Sequence, residues 1–193
     1  SRTFIASARD INNVEIRLLT KTLKGTFSAV SGATITVTAD ATVTFPANAI
    51  KKADGTIYTG TVNVYAAYLD PTDANLSTKM PGNLLGVRTD NSESVLQSFG
   101  MLNVELEDAS GNKLNIADGK EATISATVPA SLLATAPATI PLWHFDVSTG
   151  LWKEEGSATL TAGKYIGNVK HFSWWNLDKP YIPIKIKFRV VDA

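Results

Sequence analysis

Apolar and polar residues alternate over short stretches along most of this 193-residue chain. The alternation is clearest over residues 61–69, where Val62, Val64, Ala66 and Tyr68 occupy every second position. Because successive side chains of a strand point to opposite faces, this period of two predicts a half-buried β-strand with these four side chains on one face. No segment shows the long 3.6-residue period of an amphipathic helix.

Similar patterns predict further strands, separated by turn residues at intervals of about 8–12 positions. They cover residues 3–7, 14–19, 33–38, 41–45, 95–106, 121–128, 140–145, 151–155, 158–160 and 164–169. Pro46 should end one strand, because proline cannot donate to a β-ladder, and Gly100 should mark a bulge or bend. Residues 130–134 are expected to form one helical turn. We predict an all-β fold, an antiparallel β-sandwich with Greek-key-like connections.

The two ends of the chain differ from the middle, and we predict three parts. Residues 1–24 are interpreted as lead-in strands or the end of a preceding module, and residues 25–178 as the β-sandwich. Residues 179–193 are interpreted as a linker and the first strand of a following module, because residues 182–191 alternate again after Pro180. The chain begins at Ser1 rather than at a methionine. We therefore expect it to be a segment of a longer protein.

Charge and composition exclude several classes of function. Eighteen basic residues balance eighteen acidic ones without a basic stripe, so we expect no nucleic-acid partner. Cysteine is absent, which excludes disulfides and thiolate chemistry. No run of about 18 apolar residues occurs, so we expect no direct membrane insertion of this segment. We expect no cofactor.

Metal binding has weak support in the sequence. The two histidines lie far apart and outside any His-x-x-His arrangement, so we assign no metal ligand. Asp70 with Asp73, or Asp108 with Asn112, offers oxygen atoms for calcium. Such residues usually cap their own turns, and we expect turns here.

The stretch richest in chemistry is the hexapeptide of residues 170–175, Lys-His-Phe-Ser-Trp-Trp. It combines a base, His171, with a hydroxyl nucleophile, Ser173. A serine hydroxyl can attack the carbonyl carbon of the preceding residue, here Phe172, which converts the amide into an ester that water hydrolyses. A neutral histidine can supply both the base and the acid for this reaction. The alternative interpretation is a packed aromatic strand that closes the sandwich.

Three further features admit weaker functional interpretations. Trp174 and Trp175 are adjacent, so on a regular strand only one of them faces the core, and the pair is a candidate binding surface for a glycan or a protein. His144 is expected on the outer face of its strand, and it supports the His171 site only if the fold brings the two together. The carboxylate pair at 154–155 is interpreted as part of a solvated strand face.

The segment from His171 to Trp175 resembles the His-Phe-Ser self-cleavage motif of ZU-five-type β-sandwich domains, which occur in death-domain scaffolds. The resemblance extends upstream to residues 32–35 with 43–50, and to residues 141–146 with 149–152. Residues 70–72, 80–82 and 98–101 also resemble extracellular proteins of the cartilage intermediate layer type and bacterial surface proteins.

This resemblance implies a self-cleaving bond between Phe172 and Ser173, with His171 as the base. It implies one intramolecular turnover rather than a turnover enzyme, with the fragments staying associated. It also implies an extracellular or cell-surface location, with neighbouring domains of the same chain as partners. We therefore predict a structural or interaction module of a secreted or cell-surface multidomain protein, and, as the alternative, a carbohydrate- or protein-binding module without cleavage.

Overall fold

The computed structural model of the protein describes residues 15–182, which form thirteen strands and two single-turn helices. The strands are β1 (Leu23–Ser28), β2 (Ala33–Thr38), β3 (Ala41–Phe45), β4 (Ile50–Lys52), β5 (Thr61–Leu69), β6 (Leu85–Val87), β7 (Glu93–Glu107), β8 (Lys113–Ile116), β9 (Ala122–Thr127), β10 (Thr139–Asp146), β11 (Leu151–Thr161), β12 (Lys164–Val169) and β13 (Trp174–Tyr181). The helices are α1 (Leu76–Lys79) and α2 (Ala130–Leu133).

Ten strands form one hydrogen-bonded path in the order β1–β5–β7–β13–β10–β11–β12–β9–β3–β2. Off this path, β8 pairs with β4 and β7, and β6 pairs with β7 and β11. Within residues 15–182 all pairs are antiparallel except β6 with β11, which is parallel. The prediction of an all-β, antiparallel fold is confirmed.

The ten-strand sheet curves so that its two end strands, β1 and β2, contact each other, and the main core lies inside this curved sheet. Apolar side chains from all ten strands of the path face this interior. Phe27 and Phe45 stack with 4.7 Å between ring centroids, and Phe99 meets Tyr165 edge to face at 5.5 Å. Inward residues from distant parts of the path therefore pack together, as the two faces of a β-sandwich do.

A second apolar cluster covers the opposite side of the central strands. Trp143, Phe145 and Trp152 form it together with residues of β5, β7 and the segment around α1. The Trp143 indole donates a hydrogen bond to the main-chain oxygen of Asp178 at 3.2 Å, which ties β10 to β13. Strands β7, β10 and β13 thus carry buried side chains on both faces.

Several local predictions are confirmed. Val62, Val64 and Ala66 are buried on one face of β5, β3 ends immediately before Pro46, and residues 130–133 form the helical turn α2. Gly100 has a φ of +143° and lies where the register between β7 and β13 shifts, as expected for a bulge.

Other local predictions differ from the structure. Residues 151–161 form one strand rather than two. Residues 179–181, where the predicted linker begins, are the end of β13 and pair with β7. Residues 15–19 form no strand although one was predicted for 14–19. Ile16 and Leu18 are exposed, and no strand within residues 15–182 pairs with this segment. The predicted strands at 3–7 and 182–191 lie outside the described residues, apart from residue 182. The assignment of the two ends to neighbouring modules stays a prediction.

Candidate functional site

The hexapeptide lies where the chain leaves β12 and enters β13. Residues 170–173 form a bend, and Trp174 is the first residue of β13. β13 then runs between β7 and β10, in the middle of the strand path. The predicted scissile bond therefore sits at the entry to a central strand rather than on a free loop.

Phe172 is held at both its backbone and its side chain. Its main-chain N–H donates to the side-chain oxygen of Asn115 on β8 at 2.9 Å. Its ring packs against the main core, 5.5 Å from the ring of Phe45 between centroids. The residue before the predicted cut is thus anchored by β3 and β8, two strands that are distant from it in sequence.

Ser173 is half-buried and lines an open groove of about 530 Å³. Its hydroxyl donates to the main-chain oxygen of Trp174 at 3.2 Å. Among the described contacts, no hydrogen bond joins this hydroxyl to the ring of His171, the base predicted for it. The groove gives solvent access to the 172–173 bond.

His171 is fixed by contacts on both of its ends. Trp175, only 1% exposed, donates its indole N–H to the main-chain oxygen of His171 at 3.0 Å. The imidazole Nε2 of His171 lies 3.3 Å from Oε2 of Glu155. The ring is therefore paired with a carboxylate, which can orient it.

His144 joins the same group of side chains. It pairs with Trp175 in the β10–β13 ladder, its ring lies 4.9 Å from that of His171, and its Nε2 lies 3.7 Å from Oε2 of Glu155. Burial is the main factor that lowers the pKa of His144, followed by the charge of His171, and Glu155 acts in the opposite direction. The lowered pKa of His144 favours its neutral ring, whose free nitrogen has a lone pair for a cation.

Glu155 reaches the two histidines from a β-bulge in β11. The ladder between β10 and β11 pairs Pro141 with Ser157 and then Trp143 with Glu154, so that Glu155 and Gly156 together oppose a single residue. Gly156 has a φ of +80°, the left-handed conformation that a bulge of this kind uses. A glycine after adjacent glutamates in a strand was the sequence signal for this bulge, and the interpretation of a solvated strand face missed it.

The structure separates the two tryptophans of the predicted binding surface. Trp175 is buried in the main core, whereas Trp174 is half-buried and lines two surface grooves. This agrees with the expectation that only one of them faces the core. Binding by the pair stays a prediction, and Trp174 is the member with an accessible face.

The aspartates considered for calcium hold their own turns. Asp70 accepts hydrogen bonds from the main-chain N–H and hydroxyl of Thr72, at 2.7 Å and 2.6 Å. Asp73 pairs with Lys79, and Asp108 accepts from the N–H groups of residues 110 and 112. These contacts agree with the turn interpretation.

Comparison with known proteins gives distant relatives. The chain is 31% identical to human cartilage intermediate layer protein 2 over 110 residues, which is 57% of this chain and 9% of that protein. It is 29% identical to pig cartilage intermediate layer protein 1 over 112 residues, 58% of this chain and 18% of that protein. The chain thus spans less than a fifth of the length of these relatives. No family model matches it, and no solved structure matches it.

The relatives support part of the predicted family resemblance, and they do not test the chemistry of the site. Their similarity to this chain agrees with the predicted resemblance to proteins of the cartilage intermediate layer type. Within residues 15–182 the two helices are too short to cross a membrane. The ZU-five type and the self-cleavage motif stay predictions.

Proposed function

We propose that this chain is a structural or interaction module of a secreted or cell-surface multidomain protein, and that it cuts itself once between Phe172 and Ser173. The observation that carries the proposal is the clamped bend at this bond. Asn115 holds the N–H before the bond, and Trp175 holds the carbonyl of His171. Both contacts hold the peptide group between His171 and Phe172, directly before the bond, and Trp174, directly after Ser173, pairs with Asn103 of β7. The bend therefore has little motion to lose before the adjacent hydroxyl attacks.

The relatives support the location in this proposal. They are named for a layer of cartilage, an extracellular tissue, and the matched region is a small part of each. A module of this kind needs a stable fold and an attachment to neighbouring domains, and it needs no substrate pocket. A balanced charge and a continuous sheet meet the first requirement.

The chemical step balances without any cofactor. The Ser173 hydroxyl oxygen bonds to the carbonyl carbon of Phe172, and a base takes the hydroxyl proton. The C–N bond then breaks, the nitrogen receives a proton, and an ester joins Phe172 to the Ser173 oxygen. Water hydrolyses this ester to a carboxylate at Phe172 and restores the serine hydroxyl, so that one water is consumed in total.

His171 is the proposed base and acid, with Glu155 as the residue that positions it. The imidazole and the hydroxyl are two residues apart in the bend and are not hydrogen-bonded to each other among the described contacts, so we propose that the proton passes through a bridging water. His144 packs against His171 and extends the same polar group. The groove beside Ser173 admits the water that hydrolyses the ester.

The fragments are expected to remain together after the cut. Residues 174–181 pair with β7 on one side and with β10 on the other. Trp175, Asn176, Leu177 and Asp178 are all buried. Burial of one tryptophan alone removes about 150–250 Å² from water, about 4–6 kcal/mol at 25 cal/mol per Å².

Mass spectrometry of the purified chain tests the proposal. We expect two fragments, residues 1–172 and 173–193, whose summed mass exceeds that of the intact chain by one water. Ser173→Ala should remain intact, whereas Ser110→Ala, a change in an exposed turn, should be cut like the wild type. Hydroxylamine should accelerate the cut, because it attacks esters faster than amides. An intact wild-type chain that hydroxylamine leaves uncut would refute the proposal.

A binding module without cleavage is the second candidate. The observation that favours it is the partial exposure of Trp174, which lines one groove with residues 51–53 and another with residues 78–81. Aromatic side chains at a groove wall can stack on sugars or peptides. A glycan array probed with Ser173→Ala, with Trp174→Ala in the same background as the control, tests this candidate. Binding lost with Trp174 would support it, and no binding above background would count against it.

A further inference from the structure

The fold brings together three side chains of metal-ligand type from three consecutive segments of the chain. His144 comes from β10, Glu155 from the bulge in β11, and His171 from the bend after β12. Each offers one ligand atom, and these three atoms all lie within 4.8 Å of one another. Within residues 15–182, no other group of three or more histidine or acidic side chains brings its ligand atoms this close together. We call it the His144–Glu155–His171 cluster.

We propose that this cluster binds one divalent transition-metal ion of the zinc type, and that the bound ion stops the self-cleavage. The regulatory half of this inference rests on the proposed function, whereas the metal site does not. No metal-binding spacing along the sequence indicates the site, because it forms only where β10, the bulge in β11 and the bend after β12 meet.

The distances suit zinc. Zinc bonds of about 2.0–2.1 Å at tetrahedral angles place neighbouring ligand atoms about 3.3–3.4 Å apart. Oε2 of Glu155 lies 3.3 Å from Nε2 of His171 and 3.7 Å from Nε2 of His144. Small side-chain rotations are therefore sufficient to bring the three atoms into a coordination shell.

The ligand chemistry favours the same class of ion. Two imidazole nitrogens with one carboxylate suit zinc and its neighbours, whereas calcium and magnesium prefer shells made of oxygen atoms. Three protein ligands leave one tetrahedral position for water. The expected preference is thus for zinc, with cobalt(II) as a useful spectroscopic substitute.

The cluster is both supported and accessible. The buried Trp175 ring lies 5.0 Å from the ring of His171 and 5.8 Å from that of His144, so it backs both imidazoles. The side chains of His144, His171 and Glu155 are 21%, 34% and 37% exposed. A rigid backing with partial exposure lets an ion enter from solvent without opening the core.

The expected consequence for cleavage follows from the lone pair of His171. A neutral imidazole that coordinates a metal ion through Nε2 carries its proton on Nδ1, so neither nitrogen of His171 can then accept the proton of Ser173. The ion also draws Glu155 away from its role in positioning the ring. Metal removal should therefore release the cut, and metal addition should hold the chain intact.

The binding test uses the Ser173→Ala chain, which keeps all three ligands and cannot be cut. Calorimetric titration with zinc chloride should give one ion per chain. In the same background, His144→Gln and Glu155→Gln should each weaken binding by more than about 100-fold, since even outer-shell partners of a metal are worth about 10- to 100-fold. Glu93→Gln, a change of the same kind at an exposed site on β7, should bind like the parent.

Cobalt(II) chloride gives a second reading that needs no ligand variant. Binding at a four-coordinate site should turn the weak visible spectrum of the hydrated ion into strong absorption bands, at one ion per chain. A titration without stoichiometric binding, or Gln variants that bind as tightly as Glu93→Gln, would overturn the metal site. This result is independent of whether the wild type cuts itself.

The regulatory half is tested on the freshly purified wild-type chain. Stoichiometric zinc chloride should slow fragment formation at least tenfold, and a chelator should restore the rate. An unchanged rate with the site saturated would overturn the regulation while leaving the metal site in place. A wild-type chain that never cuts, with or without chelator, would overturn the proposed function and the regulation together.

Discussion

Replacement of Asp178 with asparagine should change how the stability of the protein depends on pH. Asp178 lies on β13, fully buried, with one carboxylate oxygen accepting from the side-chain amide of Asn176 and the other without a partner among the described residues. The hydroxyl of Ser98 donates to Asn176 at 2.8 Å and completes this small polar group. Burial raises the pKa of Asp178 well above its usual range, although the nearby Ser98 hydroxyl and the hydrogen bond from Asn176 act in the opposite direction.

The sign follows from proton binding in the two states. An aspartate in the unfolded chain releases its proton near pH 3.9, whereas Asp178 in the folded protein keeps its proton at higher pH. Above about pH 4 the folded state therefore binds more protons than the unfolded state, and the free energy of unfolding falls as the pH rises. The loss is about 1.4 kcal/mol for each pH unit, and it stops once the pH passes the folded-state pKa of Asp178.

Asparagine has nearly the same shape and does not titrate. The difference in unfolding free energy between Asp178→Asn and the wild type should therefore rise with pH at about 1.4 kcal/mol per unit above about pH 4, because other titrating groups cancel in the difference. Urea unfolding at a series of pH values measures this slope. Asp40→Asn is the control, because its side chain is exposed in the turn between β2 and β3 and has no ion-pair partner among the described residues.

A constant offset between Asp178→Asn and the wild type is expected at all pH values, because the amide brings an additional buried N–H group. The slope is the test. If the difference between the two proteins stays constant from about pH 4 to about pH 7, the carboxyl group of Asp178 is not kept protonated by burial, and the reasoning fails.

Three further predictions follow from contacts around the site and the sheet. Asn115→Ala should slow the appearance of the 173–193 fragment about fivefold, because it removes one hydrogen bond to Phe172 worth about 1 kcal/mol; an unchanged rate by mass spectrometry would contradict the clamp. Gly32→Ala should cost about 1–3 kcal/mol more in urea unfolding than Gly111→Ala, because both glycines have positive φ but a β-carbon at Gly32 would lie 2.3 Å from a main-chain oxygen, whereas none lies within 4 Å at Gly111. Equal losses would rule out that clash. After cleavage, the two fragments should elute together in size-exclusion chromatography and separate only in denaturant, and separation in native buffer would contradict the central position of β13.

Local chemistry made much of the fold predictable. The alternation over residues 61–69 predicted which side chains of β5 face the core, and Pro46 and Gly100 predicted a strand end and a bulge. These features depend on the two-residue period of a strand and on backbone preferences of single residues, which are properties of neighbours in the chain. The prediction of a strand at residues 14–19 was wrong for residues 15–19, again because alternation is a local property. It indicates a segment that can pair as a strand, but it does not supply the partner strand.

The candidate site shows most clearly which features follow from the sequence alone and which depend on the tertiary structure. The His-Phe-Ser stretch by itself showed that His171 and Ser173 lie near each other, because they are only two positions apart in the chain. The partners of His171 are His144 and Glu155, and no local pattern joins them, because each is placed by the register of a different strand pair and Glu155 also by the bulge at Gly156. The amino-acid sequence alone therefore determined much of the strand pattern and indicated the proposed nucleophile, Ser173, with its neighbouring proposed base, His171. Tertiary structure decided what surrounds that base, because distances between strands depend on sheet order and core packing, which are set by the whole chain at once.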